Sequence, residues 1–511
     1  MNTTRTLQHW LLLVLLLVQF LVSFRPAALA WDGAFYYAYA RSILFDGDLE
    51  LENDLLLSYA VTPPDFAAAH LEQRRTPTGR VDSPFAIGTS LLWLPWFALI
   101  YGLANLAGWL PGPLTGYEWP FVWGMAAVTC AYGWLGTLVS YRLARRLVSN
   151  WAALAASATL MLTTPLVYYQ FREPFYAHAA SALTVALFIS AWWQVAAKRK
   201  YTVPSALLLS LTGGLAALVR PQNIAYLALP VLTALLAAGS ALRQREWRTA
   251  RRCGGYALLV GLGALVVLSP QLAVWQLFYG QPLTIPQGAG FMDWRAPWAG
   301  AVLFSPFNGL LPWMPVCLPA LVGLALLARR FPHQAILLLM ALLLQVYVNG
   351  CILQWYGGGG YGPRRFSSTL VILLTGYAAF LDSGKSRWQR LLLLAPSLLL
   401  ILHQWLILRY GFTEHIGGQV IRSNPSYQWE WQASSGAEFA QRLVGYLPLA
   451  VRHPLQTLLL PDAPLRAPPA ELIRQLGLLA GVLAALHLLR RGWERLYGRA
   501  KADQTSGSRW P

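Results

Sequence analysis

The chain reads as an all-α polytopic membrane protein. Three observations say so. Of its 511 residues, 56% are hydrophobic and only 12% are charged, where soluble domains carry roughly 25% charged residues. Apolar runs recur from Leu7 to Leu489, each near the roughly 20 residues that one bilayer crossing needs. The basic residues fall in short clusters between those runs. Short alternating segments of the kind that build closed barrels are not seen.

Apolar segments lie near 7–24, 84–108, 119–141, 151–171, 175–197, 203–219, 222–242, 254–279, 309–328, 334–353, 367–381, 391–408 and 471–489. If all crossed with the N-terminus inside, the arginine clusters after residue 140 would lie outside, against the positive-inside rule. Segment 84–108 carries Pro84, Pro95, Trp93 and Trp96, and Trp109 follows it. Treated as lying in the interface or dipping in and returning, it resolves the conflict. The loops at 142–150, 198–200, 243–252, 329–333 and 382–390, and the tail from Arg490, then become cytoplasmic. They and Arg5 hold 23 of the 39 Lys and Arg but only 4 of the 21 acids, so the inside carries near +19 and the outside near −1. The expectation is about 12 transmembrane helices, both termini cytoplasmic, plus a non-crossing membrane-associated helix in the first external loop. The run before Trp31 ends in "AALA", a signal-peptidase-like string. Its length and Arg25-Pro26 favour an uncleaved first span.

The net charge of +18 is explained by this loop pattern, so no nucleic-acid partner is implied. Cys130, Cys253, Cys317 and Cys351 are far apart in or beside apolar segments. They have neither metal-ligand nor disulfide-framework spacing and read as packing residues.

Three external stretches carry chemistry. The first opens with Asp32 beside Trp31, before Phe35, Tyr36, Tyr37 and Tyr39. A carboxylate is favoured at a helix start, as cap or as reactive group. Further along come Asp46, Asp48, Glu50, Glu52 and Asp54, mostly solvated on this reading. The second is "FREPFYAH", with Glu173 before Pro174, which suits a first helical turn, and His178 inside it. Arg172 and Glu173 also suit interface anchors. The third is "WYGGGGYGPRRF", Trp355–Phe366. Gly357, Gly359 and Gly362 spell a dinucleotide fingerprint, yet no βαβ unit surrounds them. What remains is Arg364 and Arg365 at a span start, able to grip phosphate in two-pronged fashion or to anchor lipid headgroups.

Several strings, "YYAYARSILFDGDLELEND", "SPFAIGTSLLWLPWF", "FREPFYAHAAS" and "WYGGGGYGPRRF", together with the order of span, acid-bearing loop and non-crossing helix, resemble the GT-C superfamily of polyprenyl-phosphate-dependent glycosyltransferases. The likeness is to the bacterial branch related to protein mannosyltransferases and aminoarabinose transferases, over roughly residues 7–381. It implies a GT-C-like transmembrane catalytic domain over 1–408, including external loop 25–118. An external loop at 409–470 and a final helix with a cytoplasmic tail at 471–511 complete the chain.

The resemblance implies a sugar moved from a polyprenyl-phosphate donor to an acceptor hydroxyl at the outer face of a bacterial inner membrane, with inversion. The acceptor is a lipid, glycan or protein. Asp32 matches the family's first-loop acid, and Glu173 its second. The family's first motif is usually a pair of acids, whereas here Asp32 stands alone, which puts a carboxylate-bridged metal in doubt. No cofactor is implied with certainty, and a divalent metal is left open. Asp46 and Asp48 form a D-x-D by letter and rank second. Asp32, Glu173 and His178 are the expected catalytic group. Arg364, Arg365, Trp355, Tyr356, Tyr361, Tyr36 and Tyr37 are expected to bind the phosphate, sugar or prenyl chain. A secondary transporter or lipid-linked-sugar flippase is the alternative.

Overall fold

In the computed structural model the described residues are 24, 29, 32–58, 71–108, 113–358, 360–408 and five positions between 441 and 448. The expected first span at 7–24 (all but Phe24), the final span at 471–489, nearly all of loop 409–470 and the tail lie outside them, as does Gly359.

The described residues are helical, with no strand among them, only isolated bridges Arg75–Val81 and Met292–Ile352. The elements are α1 (Asp32–Arg41), running into a π-helical turn at Ser42–Asp46, α2 (Leu51–Ser58), α3 (Gly88–Ala107), α4 (Trp119–Ala144), α5 (Asn150–Thr163), α6 (Leu166–Phe171) and α7 (His178–Lys198). Then follow α8 (Val203–Val219), a 3-10 turn at Pro221–Leu227, α9 (Ala228–Arg243), α10 (Trp247–Tyr279), α11 (Ala299–Phe304) and α12 (Leu310–Trp313). The described bundle closes with α13 (Cys317–Ala328), α14 (Pro332–Gly350), a 3-10 turn at Arg364–Thr369, α15 (Leu370–Asp382) and α16 (Arg387–Leu406).

Among the described residues seven helices are long and apolar enough to cross a membrane: 88–107, 119–144, 178–198, 221–243, 247–279, 332–350 and 387–406. The segment expected not to cross, 84–108, forms α3. It is as long and as apolar as helices expected to cross, and it turns Trp96, Leu99, Leu103 and Leu106 outward.

Prolines redraw several expected boundaries. The run 151–171 breaks into α5 and α6 at Thr164-Pro165. Thr164 is extended, with φ −120° and ψ 155°, because the proline ring disfavours helical backbone in the residue before it. The run 222–242 starts with a 3-10 turn led by Pro221. The run 309–328 is divided before Pro315 into α12 and α13. Pro270, by contrast, is carried inside the 33-residue α10, since neighbouring helices in an apolar bundle tolerate such interruptions.

Small residues set the closest helix contacts. Lipid tails give apolar side chains no reason to prefer each other, so close packing of backbones supplies much of the association. Gly323 of α13 lies against Gly376 of α15 so tightly that a Cβ would stand 1.7 Å from the Gly376 carbonyl oxygen. A Cβ on Gly214 of α8 would meet Val267 of α10 at 2.6 Å, and one on Gly88 would meet the Leu218 backbone at 2.3 Å. This last contact pins the start of α3 to the end of α8. Side-chain hydrogen bonds join the starts of α1 and α7, the residues just past α8, the last turns of α14 and the 3-10 turn at 364–369.

Candidate active site

Asp32 is the first residue of α1, and its position there is fixed by packing. Gly33 sits so near the turn before α7 that a Cβ would be 2.7 Å from the Cβ of Phe175. The Tyr36 carbonyl accepts from Ser90 Oγ of α3 at 2.6 Å. Across the cluster, Arg364 Nη1 donates to Asp32 Oδ2 at 2.9 Å, joining residues 332 apart in sequence. Both side chains keep some access, 26% for Asp32 and 15% for Arg364. The Arg364 guanidinium also lies 5.3 Å from the centre of the Tyr176 ring, a favourable cation–π arrangement.

The glycine run shapes itself around that arginine. Gly357, Gly358 and Gly362 have positive φ of 81°, 68° and 61°, where a side chain strains the backbone. A Cβ on Gly360 would meet Tyr169 Oη at 2.7 Å and Arg364 Cδ at 3.0 Å. Asn308 Nδ2 ties the run down, donating to the carbonyls of Tyr356 and Gly360 at 2.9 and 3.0 Å. The glycines serve close approach of backbone to Arg364 and Tyr169.

His178, at the start of α7, is buried between aromatic rings. The Tyr169 ring centre lies 4.2 Å away and Tyr176 stacks at 6.0 Å. Arg220 Nη1 lies 2.6 Å from His178 Nδ1. A guanidinium only donates, so Nδ1 is the acceptor and the other ring nitrogen holds the proton. The Arg364 backbone lies within hydrogen-bond reach of this ring. Arg220 Nη2 also reaches Gln222 Oε1 at 3.4 Å, while Gln222 Nε2 donates to the Arg365 carbonyl at 3.0 Å. The Arg365 side chain turns back to the carbonyls of Gln354 and Trp355 at 2.7 and 3.1 Å.

The electrostatics follow from burial and crowding of charge. Burial, helped by the nearby Asp32 carboxylate, pushes Glu173 up to about 7 against the opposing pull of Arg172 and Arg364. Burial, then repulsion from Arg364 and Arg220, brings Arg365 down to about 9. Arg220 is lowered by burial and by Arg364. Burial works against the Arg364 charge too, yet Asp32 beside it outweighs that and holds the guanidinium more firmly charged.

Five of the expected residues thus come together: Asp32, Glu173, His178, Arg364 and Arg365. Tyr36 joins them electrostatically, within reach of Arg220, Asp32 and Arg364. The remaining aromatics have structural surroundings. Tyr37 donates to the Gly116 carbonyl inside a core of Phe97, Tyr117 and Phe175. Tyr361 is fully buried between Tyr168 and Trp313, its hydroxyl bonded by Gln404. Trp355 is buried beside Tyr356, which rests on Phe307.

Asp46 and Asp48 lie in a separate cluster. Asp46 pairs with Arg41 and accepts from Asn53 Nδ2 at 2.9 Å. Asp48 accepts from Ser42 Oγ at 2.9 Å and from the Glu50 backbone at 3.0 Å. Arg41 also reaches the buried Asp54 at 3.1 Å. Among the described residues no three His, Cys, Asp or Glu are grouped as a metal site.

Sequence reasoning missed Arg220, Gln222, Tyr169 and Tyr176 as site residues. The string "RPQN" at 220–223 sits at the junction of the apolar segments 203–219 and 222–242. A charged residue at such a junction is a weak signal by itself, and only the fold places it against His178.

No known family profile matches the chain, and no curated protein matches it. Solved structures do. ArnT from Cupriavidus metallidurans in the apo state aligns at 16% identity and TM-score 0.48, over 94% of this chain and 77% of that one. The same protein bound to undecaprenyl phosphate aligns at 14% and 0.49, over 95% and 77%. An oligosaccharyltransferase of Archaeoglobus fulgidus, in complex with zinc and sulfate, aligns at 14% and 0.41, over 89% of this chain and 58% of its own.

Proposed function

We propose that the protein is a membrane glycosyltransferase that moves a sugar from a polyprenyl-phosphate donor to an acceptor hydroxyl at the outer face of the membrane, with inversion. The observation that carries this reading is the Asp32–Arg364 pair set among Arg220, Arg365, Glu173 and His178 at one end of an apolar bundle. A carboxylate with residual access beside several half-buried guanidiniums suits a reaction that needs a proton acceptor and releases an anion. The bundle suits a donor whose tail is lipid.

In this mechanism the acceptor hydroxyl gives its proton to Asp32 as general base. Its oxygen attacks the anomeric carbon, forming the new glycosidic bond. The bond from that carbon to the phosphate oxygen breaks, and the pair of electrons leaves on the lipid phosphate. Positive charge placed beforehand where negative charge develops lowers the barrier, and the arginines supply it. Glu173, part neutral near pH 7, can both donate and accept a hydrogen bond and orients the acceptor.

The test is direct. Full-length protein in liposomes is supplied with a labelled polyprenyl-phosphate sugar and an envelope extract as acceptor source. Label passing to a new product, abolished in Asp32→Asn, supports the proposal. Movement of the intact lipid-linked sugar between leaflets with no transfer would replace it by a flippase.

A further inference from the structure

Three arginines meet at the site, and they are not equivalent. Arg364 has a carboxylate, Asp32 Oδ2 at 2.9 Å. Arg220 has a neutral ring nitrogen, His178 Nδ1 at 2.6 Å, and an amide oxygen, Gln222 Oε1 at 3.4 Å. Arg365 has two backbone carbonyls, both bonded through a single nitrogen, Nη1. Neither Arg220 nor Arg365 forms an ion pair with a carboxylate among the described residues. A guanidinium carries five N–H groups, so both keep donors to spare.

Both side chains are half-buried, and taking a cation even partly out of water without an opposite charge is costly. The crowding tells in the same direction, since Arg365 and Arg220 are both held below the ordinary arginine range by burial and by neighbouring cations. The two belong to one unit. Gln222 accepts from the Arg220 side chain and donates to the Arg365 carbonyl, and Gln345 Nε2 of α14 donates to the Gln222 carbonyl at 3.2 Å. Gln345 is fully buried, so this brace is anchored in the bundle.

We propose that Arg220 and Arg365, not Arg364, form the subsite for the phosphate group of the ligand, with His178 and Gln222 as positioning residues that aim Arg220 into it. Arg364 instead belongs to Asp32, whose carboxylate it orients. The proposal rests on the transferase reading for the identity of the phosphate. The division of labour among the arginines rests on the pairing itself. His178 takes no proton in this scheme. Its Nδ1 lone pair is committed to Arg220, which keeps the guanidinium from turning toward Asp32.

The test uses full-length protein in nanodiscs. Binding of dodecyl phosphate is read by quenching of intrinsic tryptophan fluorescence, with dodecanol as the uncharged control and inorganic phosphate as competitor. R220Q and R365Q are expected to weaken dodecyl phosphate binding ten- to a hundredfold, about the loss for a charge-assisted hydrogen bond. R364Q is expected to bind within about threefold of wild type and yet to lose transfer. H178A should lose about tenfold in binding. H178N should recover most of it, because Asn Oδ1 can accept from Arg220 where Nδ1 did. Competition by millimolar inorganic phosphate, lost in R220Q and R365Q, shows that the headgroup is what the pair recognises.

Equal binding of dodecanol, or a loss in R364Q as large as in R220Q and R365Q, overturns the subsite. If glutamine variants fail to give monodisperse protein, R220K and R365K retain the charge. They should weaken binding threefold to tenfold, because lysine lacks the planar fork, and full retention of affinity in both would again overturn it. The two readings separate cleanly. Phosphate binding that follows Arg220 and Arg365 without any sugar transfer leaves the subsite standing and removes the transferase. Transfer with binding that follows Arg364 does the reverse.

Discussion

Replacing Asp32 by Asn or Arg364 by Gln breaks a pair held at 2.9 Å. Coulomb's law for unit charges at that distance gives about 1.4 kcal/mol at a water-like dielectric and about 6 kcal/mol at an effective value of about 20. Side-chain exposures of 26% and 15% put the pair between these limits. Desolvation of both groups cancels part of the gain. A coupling energy of about 1–3 kcal/mol is therefore expected from a double-mutant cycle of Asp32→Asn, Arg364→Gln and the double variant, read as thermal stability in a fixed detergent. Activity should respond more sharply. Losing a general base costs about 10²–10⁴-fold, so D32N should lose nearly all transfer while remaining folded. A coupling energy indistinguishable from zero would show that the pair does not position Asp32. Full transfer by folded D32N would remove Asp32 from the chemistry altogether.

Glu173 gives a pH signature. Its folded value of about 7 lies above the ordinary 4.5, so the folded state prefers the neutral acid. The stability this contributes is complete below about pH 4.5 and is lost as pH rises through 7, amounting to at most about 3 kcal/mol. E173Q, permanently neutral, should therefore flatten the fall in melting temperature over that window, and an unchanged pH profile would refute the assignment. Gly360→Ala places a methyl 2.7 Å from Tyr169 Oη and 3.0 Å from Arg364. Transfer should drop at least tenfold with little change in melting temperature. Gly323→Ala, remote from the site, drives a Cβ into the Gly376 carbonyl. It should cost stability at the upper end of about 1–3 kcal/mol, seen as a lower melting temperature, with specific activity of the surviving protein unchanged. Asp46→Asn weakens a pair with Arg41 outside the site and should leave transfer within about twofold of wild type, checked by the same assay.

The helical, membrane-embedded character of the chain was legible from composition and apolar run length, because the bilayer imposes both on any spanning helix. The acids and arginines were legible too. Charge beside an apolar segment is costly, so Asp32, Glu173, Arg364 and Arg365 stood out against their surroundings. Pro165 and Pro315 divide helices within runs that are continuous by hydropathy, because hydropathy averages across a proline that the backbone cannot ignore.

Pairing was beyond the sequence. Asp32 and Arg364 are 332 residues apart, and no local pattern says which of several arginines a carboxylate will meet. Nor does spelling reveal that Tyr361 faces Trp313 and Gln404 in the core, or that Arg220 at an ordinary turn is bonded to His178. Those choices depend on which helix ends converge. That in turn depends on glycine contacts, such as Gly33 on Phe175 and Gly88 on Leu218, where the absence of a side chain lets backbones approach. The sequence by itself determined an apolar helical bundle with acids and arginines set beside the ends of its apolar segments. The tertiary structure decided which charges pair and which have no carboxylate partner among the described residues, because electrostatic partnership is a matter of distance and burial rather than order along the chain.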